Sequence, residues 1–393
     1  MHRLVLPFLL AAGLPAAGDP VGRGLNQFGI ACYRDLAPGR GNLIFSPWSI
    51  SSALSLALSG ARAGTASGIA GVLHQNFPDA GYPAALAALS NQLTQRANLG
   101  KNQLLNANGL WVQKGFAVEP EFRDITEKIY GAPPRQLDFS GATESARAAI
   151  NSWTNQQTKG RIPELFAPGA LDRTTRLVLS SAVYFYGIWE KPFRAADTRT
   201  EPFRVNASHT VETALMHQTG AFGYNETPSL QILEMRYAGT GLAWDILLPK
   251  ETDGLADLER ALDPDQVAAW LAGVERHPVD VAVPKFRAES GFSLKNTLSR
   301  MGMPTAFTGL ADFSGMDGRR DLTLADVVHK AFVEVSEEGT EAAAATGINA
   351  VLVSSVISSG RIVFRADHPF LFLIRDTQSG VILFAGRVEN PKG

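Results

Sequence analysis

Glu337-Glu338-Gly339-Thr340-Glu341-Ala342-Ala343-Ala344-Ala345-Thr346 runs on into Gly347-Ile348-Asn349-Ala350-Val351-Leu352-Val353-Ser354. Just upstream, Ala331, Val333 and Val335 alternate with Lys330, Glu334 and Ser336, the period-2 pattern of a half-buried strand, with Phe332 breaking the polar side. Gly339 is expected to end that strand. Alanine has the best intrinsic helix propensity, so the run Ala342–Ala345 taken alone reads as a short exposed helix. Parity gives a second reading. In an extended chain Thr340, Ala342, Ala344, Thr346, Ile348 and Ala350 share one face, none of them charged or bulky enough to resist burial, while Glu341 and Asn349 fall on the other. A segment of this composition can stand exposed and later enter a sheet with its small side chains inward.

The segment Glu337–Thr346 resembles the hinge of the serpins, inhibitors of serine proteases in which a loop inserts into a β-sheet. Phe364-Arg365-Ala366-Asp367-His368-Pro369-Phe370-Leu371-Phe372-Leu373-Ile374 resembles the C-terminal signature of the same family, and Phe45-Ser46-Pro47-Trp48-Ser49-Ile50 its pattern at the helix beneath the main sheet. The resemblance covers nearly all of the chain after residue 18. It implies an α+β serpin fold: a single domain over residues 19–393 with three β-sheets, about eight to nine helices and an exposed reactive-centre loop at about residues 337–362.

At 393 residues the chain exceeds the usual size of roughly 150 residues per domain, but no Pro, Ser or Gly-rich linker divides it. With 45% hydrophobic and 19% charged residues it can bury a substantial core. A formal charge of -2 gives no reason to expect nucleic acid as a partner. Met1-His2-Arg3, an apolar run Leu4–Leu14 and Pro15-Ala16-Ala17-Gly18 form the pattern of a secretory signal peptide, residues 1–18, cleaved after Gly18. The run is short for a bilayer span and no later apolar stretch of about 18 residues follows, so the expectation is a secreted protein, periplasmic in a bacterium, with no membrane partner. Cys32 stands alone, so no intramolecular disulfide forms; its spacing with Leu25, Phe28 and Leu36 makes it a core thiol on a helix. The sequons Asn206-Ala207-Ser208 and Asn225-Glu226-Thr227 matter only in a eukaryotic secretory route.

Residues 19–38 read as an amphipathic helix and Asn42–Phe45 as a short strand, with Ser46 as N-cap and Pro47 in the first turn of a helix rich in small residues to Ser59. Ala84–Ala97 is a further helix. It carries Arg96, with Lys101 just beyond, and lacks the basic cluster of serpins that respond to sulfated polysaccharides; no glycosaminoglycan activator is expected. Asn106–Val112 reads as a strand, and Ala146–Phe166 resembles the helix that crosses the front of the main sheet. Leu177–Phe185 is a near-continuous apolar strand of a sheet covered on both faces. Met216–Thr219, Leu233–Tyr237, Ile246–Lys250 and Val281–Phe286 are short strands, Ser293–Met301 a helix, and Phe370–Ile374 with Val381–Phe384 a buried hairpin.

No Gly-x-Ser-x-Gly elbow, His-Glu-x-x-His or phosphate-binding loop is present, and the seven histidines are scattered, so neither an enzyme nor a metal or cofactor site is expected. The resemblance implies an inhibitor that needs no catalytic residue, because the target protease supplies the nucleophile. Counting from Glu337 by the family's common spacing puts the reactive bond at Val353–Ser354; a count one shorter selects Leu352–Val353. Val353 suits an elastase-like serine protease, Leu352 a chymotrypsin- or subtilisin-like one. By the same resemblance Ser46, Ser49, Ser181 and His329 form the polar cluster that controls opening of the sheet, and Trp189 marks where the loop enters; the family usually has Asn where Ser181 stands. A monomer is expected, and the alternative function is that of a non-inhibitory serpin serving as a carrier, chaperone or binding module.

Overall fold

The computed structural model describes residues 19–75, 81–340 and 361–393. The expected signal segment 1–18, Glu341–Thr346 of the expected hinge, and Leu352, Val353 and Ser354 lie outside these residues. Helix α1 (Pro20–Leu36) leads to strand β1 (Leu43–Phe45) and helices α2 (Pro47–Gly60), α3 (Ala63–Val72) and α4 (Tyr82–Ala97). Next come β2 (Gln103–Gln113), α5 (Pro120–Lys128), β3 (Arg135–Leu137), α6 (Phe139–Gln157) and β4 (Leu177–Ile188). The middle of the chain gives β5 (Arg199–Asn206), β6 (His209–Glu226), β7 (Leu230–Arg236), β8 (Leu242–Pro249), α7 (Leu255–Ala261), α8 (Pro264–Ala272) and β9 (Glu275–Pro284). The remainder supplies β10 (Phe286–Ser293), α9 (Lys295–Met301), α10 (Ser314–Asp317), β11 (Leu324–Val335), β12 (Gly339–Thr340), β13 (Ile362–Arg365), β14 (Phe370–Asp376) and β15 (Ile382–Val388).

The strands form two sheets among the described residues, ordered β10-β11-β12-β4-β2-β3 and β1-β15-β14-β8-β7-β6-β9-β13, with β5 on the flank of β6. Two sheets stand where three were expected, because β6 is long enough to belong to both halves: Leu215–Tyr224 pairs with β9, and Gly223–Glu226 pairs with β7. Ten α-helices are described, more than the eight or nine expected, since short α7 and α10 carry weak sequence signals. The helix expected at Ala146–Phe166 is α6, which starts earlier at Phe139 under an Asp138 cap and ends at Gln157. Lys159 and Gly160 take positive φ, which a helix cannot continue. Residues up to Phe166 are instead tied down by the Asn151 side chain, whose Oδ1 accepts from the Leu165 and Phe166 amides. The strand expected at Val281–Phe286 divides at Pro284, leaving Phe286 to open β10 in the other sheet.

Helix α2 lies between the sheets, against β2, β4 and β15. Ser46 caps it by accepting from the Ser49 amide at 3.1 Å, and Pro47 occupies the first turn as expected. Its small residues permit close approach: a Cβ on Gly60 would lie 2.2 Å from Met316 Cγ. Strand β4 buries both faces, as its apolar run requires. Leu177 and Leu179 join the core that contains α2's Ile50 and Leu54, while Val178 and Ala182 pack under α6 with Ile150 and Phe139. Cys32 is fully buried, and burial pushes its thiol pKa up.

Candidate functional site: the hinge and the seam beneath it

Strands β11 and β4 run parallel and pair directly from Leu324 opposite Leu177 to Phe332 opposite Tyr184. Above that point β12 lies between them, antiparallel to both, with Thr340 opposite Gly187 on one side and Val335 on the other. The row Val335–Thr340–Gly187 and the row His329–Ser181 are the same number of residues apart on each strand, so the seam keeps one register from its open top to its closed lower part. A strand added downward from Thr340 needs β11 and β4 to separate but not to slide.

The hinge is a tight turn. Ser336 N donates to Gly339 O at 2.8 Å and Gly339 N back to Ser336 O at 3.3 Å. Strand β11 therefore ends at Val335 and Gly339 opens β12, correcting the expectation that Gly339 ends the strand. Glycine is needed because a Cβ there would lie 1.9 Å from Gly187 O. Nor do Glu337–Thr340 belong to an exposed loop: Gly339 and Thr340 are buried and the two glutamates half-buried. The Trp189 amide donates to Glu338 O at 2.9 Å, its indole Nε1 to Ser336 O at 2.9 Å, and the Phe193 amide to Glu337 O at 2.8 Å. Trp189 stacks on Tyr237 at 4.7 Å between centroids, and Tyr237 Oη pairs with Thr340 Oγ1 at 2.7 Å. Trp189 is thereby held against the Ser336–Thr340 turn. Burial raises the Glu337 carboxyl pKa, but hydrogen bonds from Lys285 at 2.8 Å and Thr198 at 2.9 Å outweigh it and hold the group below its usual value.

Lower in the seam the structure brings Ser46, Ser49, Ser181 and His329 together, all fully buried. Ser46 N donates to His329 Nε2 at 3.0 Å. A backbone amide can only donate, so Nε2 carries the lone pair and the ring proton sits on Nδ1. Nδ1 then donates to Ser181 Oγ at 3.0 Å, Ser181 to Ser49 Oγ at 2.8 Å, and Ser49 to Asn106 Oδ1 at 2.8 Å or Asn108 Oδ1 at 3.0 Å. Ser46 Oγ donates to Leu383 O at 2.6 Å, tying α2 to the larger sheet. Burial pulls the His329 pKa down to about 3, which keeps the ring neutral.

Asn106, Asn108 and Tyr237 were not anticipated. A signal for the first two was present: Asn106-Ala107-Asn108 puts two amides on one face of an otherwise apolar strand. Their amide groups reach the cluster from the adjacent strand through Ser49, beside the position where the resemblance led to an expectation of Asn and Ser181 stands. Tyr237 carries no local signal.

The parallel seam, the glycine turn at its top and the buried histidine–serine cluster below it together form one site. A family model described as serpin (serine protease inhibitor) matches residues 23–391, and the chain belongs to the serpin family. An uncharacterized serpin-like protein of Thermococcus kodakarensis is 39% identical over 374 residues, covering 95% of this chain and 86% of that protein. Human leukocyte elastase inhibitor is 39% identical over 361 residues, covering 89% of this chain and 93% of that one. The crystal structure of Serpin48 from the insect Tenebrio molitor superposes with a TM-score of 0.85 at 34% identity, covering 95% and 98% of the two chains.

Proposed function

We propose that this chain inhibits a serine protease as a suicide substrate. The protease serine attacks the carbonyl of the reactive bond, Val353–Ser354 or alternatively Leu352–Val353. An ester to the enzyme forms, the peptide bond breaks, and the serine proton passes through the protease's own base to the leaving amine. The cut loop then enters between β11 and β4 and drags the tethered protease with it before water reaches the ester. The observation that carries this reading is the unbroken register across the seam. Continued downward from Thr340, the β4 register sets Thr346 opposite Ser181 and the β11 register sets it opposite His329, so both sides agree on one residue. By Ala350, opposite Leu177, the added strand spans the length of β4, an insertion of roughly 33 Å at about 3.3 Å per residue.

An apolar residue at the bond favours an elastase-like target for Val353 or a chymotrypsin- or subtilisin-like one for Leu352, and the human leukocyte elastase inhibitor among the relatives supports the first. We further propose export, with residues 1–18 removed; N-terminal sequencing of the secreted or periplasmic protein should begin at Asp19. Incubating the protein with elastase, chymotrypsin, subtilisin and trypsin, followed by a denaturing gel, tests the mechanism. A covalent band of summed mass with an apolar-specific protease is the expected result. Clean cleavage by a protease that stays fully active would instead favour a carrier, chaperone or binding role.

A further inference from the structure

Phe332, the residue that interrupts the polar side of β11, pairs directly with Tyr184 of β4. The two form the uppermost closed rung of the seam. In the next rows up, Val333 with Phe185 and Glu334 with Tyr186, the strands no longer pair with each other, and one row higher β12 stands between Val335 and Gly187. Phe185 and Val333 join the core around Trp189, so alternation turns Tyr184 and Phe332 to the other face, the one that α6 covers. Their rings are buried and nearly parallel, 9° apart with centroids at 6.3 Å. On the outer sides, the Arg161 guanidinium lies over the Tyr184 ring at 5.3 Å and that of Arg287 over the Phe332 ring at 4.6 Å. Four planar groups thus run across the sheet, from the segment that follows α6, through β4 and β11, to β10. A cation on the outer face of each ring and an aromatic partner on the inner one both contribute attraction.

We propose that the Arg161–Tyr184–Phe332–Arg287 stack is a clasp that fixes how fast the seam opens, and through it how the acyl-enzyme divides between trapping and hydrolysis. The second half rests on the loop-insertion reading. Adding a strand widens the spacing of β11 and β4 by about 4.8 Å, which takes the ring centroids from 6.3 Å to about 11 Å, beyond the roughly 4.5–7 Å of an aromatic pair. Arg287 travels with Phe332, because β10 pairs with β11 along its whole length, so opening cuts the contact between the two rings first. Backbone hydrogen bonds lost between β11 and β4 are regained on the two sides of a new strand. The ring contact is not regained: the register continued from Thr340 sets Ala343 in this row, and a methyl cannot stack. The stack therefore favours the closed seam over the open one, and removing one aromatic pair should speed opening by about two- to tenfold.

Three variants of the full chain test the clasp. Phe332→Leu keeps an apolar side chain and removes the stacking, Phe332→Tyr keeps the stacking, and Arg287→Gln removes one exposed cation while leaving the core intact. Hydrogen–deuterium exchange read on peptides of β4 and β11 should be about two- to tenfold faster in Phe332→Leu, about twofold faster in Arg287→Gln and unchanged in Phe332→Tyr, with peptides of β7 and β8 unmoved in all three. Unchanged exchange at the seam in Phe332→Leu would overturn the clasp. So would an equal rise in β7 and β8, which marks Phe332 as a packing residue only. If Phe332→Leu does not fold, Arg287→Gln decides by the same comparison. Insertion is read with a synthetic peptide of the sequence Glu341–Ala350 added to the intact protein. Phe332→Leu should take it up severalfold faster than the wild type, and Phe332→Tyr at the wild-type rate; one common rate overturns the link to insertion. Absence of uptake in every variant, with no covalent band in the gel assay, refutes the suicide mechanism, while the exchange measurement still decides the clasp.

Discussion

His329 shows how one side chain converts burial into a pH dependence. The unfolded ring titrates near 6.5 and the folded one near 3, so between those values the unfolded state binds the extra proton. Stability contributed by the neutral ring is complete above pH 6.5 and falls as pH drops, by about 1.4 kcal/mol per unit, or about 2 kcal/mol by pH 5. Thermal unfolding between pH 7.5 and 5 should show the fall, and replacing His329 with Gln should flatten much of it. Ser181→Ala removes both the acceptor for Nδ1–H and the donor to Ser49; a loss of about 1–3 kcal/mol in urea unfolding is expected. The sequence placed His329 and Ser181 in one cluster only through family resemblance. Their spacing in the chain says nothing, because they meet across a parallel seam whose partners come from distant segments.

Among elements, β12 is where local pattern and tertiary context disagree. Propensity favours a helix after Gly339, and parity favours a strand; Thr340 turned inward onto Tyr237 supports parity at the one inward-facing position the structure describes. Thr340→Arg places a charge in a site with no exposure, so the hinge should be expelled from the seam and the protein should become a substrate, cleaved without a covalent band. Gly339→Ala tests the same point without charge. Its methyl would meet the Gly187 carbonyl, and an overpacking cost of about 1–3 kcal/mol should appear as a lower melting temperature together with faster cleavage of the hinge by a non-target protease. The helix and strand boundaries follow a similar logic. Ser46-Pro47 announced the start of α2 because a cap and a proline act locally, whereas the end of α6 depended on Lys159 and Gly160 adopting positive φ over a site organised by Asn151.

For the molecule as a whole, the central prediction is stored strain: cleavage in the loop should raise the melting temperature, and calorimetry of intact and cleaved protein measures it. Equal melting temperatures would falsify loop insertion as the source of inhibition. In domains of 150–250 residues each kcal/mol is worth roughly 2–4 °C, so even a few kcal/mol gained by an added strand is readily seen. The chain alone carried the alternation of β11, the two-sided burial of β4, the cap of α2, the core position of Cys32 and the inward side of Thr340, because each is set by neighbours a few residues away. The fold alone decided that β6 fuses the expected second and third sheets, that Gly339 begins a strand, and that Asn106 and Asn108 join the buried histidine–serine cluster. Those facts depend on which distant strands become neighbours and in what register, and a one-dimensional pattern holds no record of either.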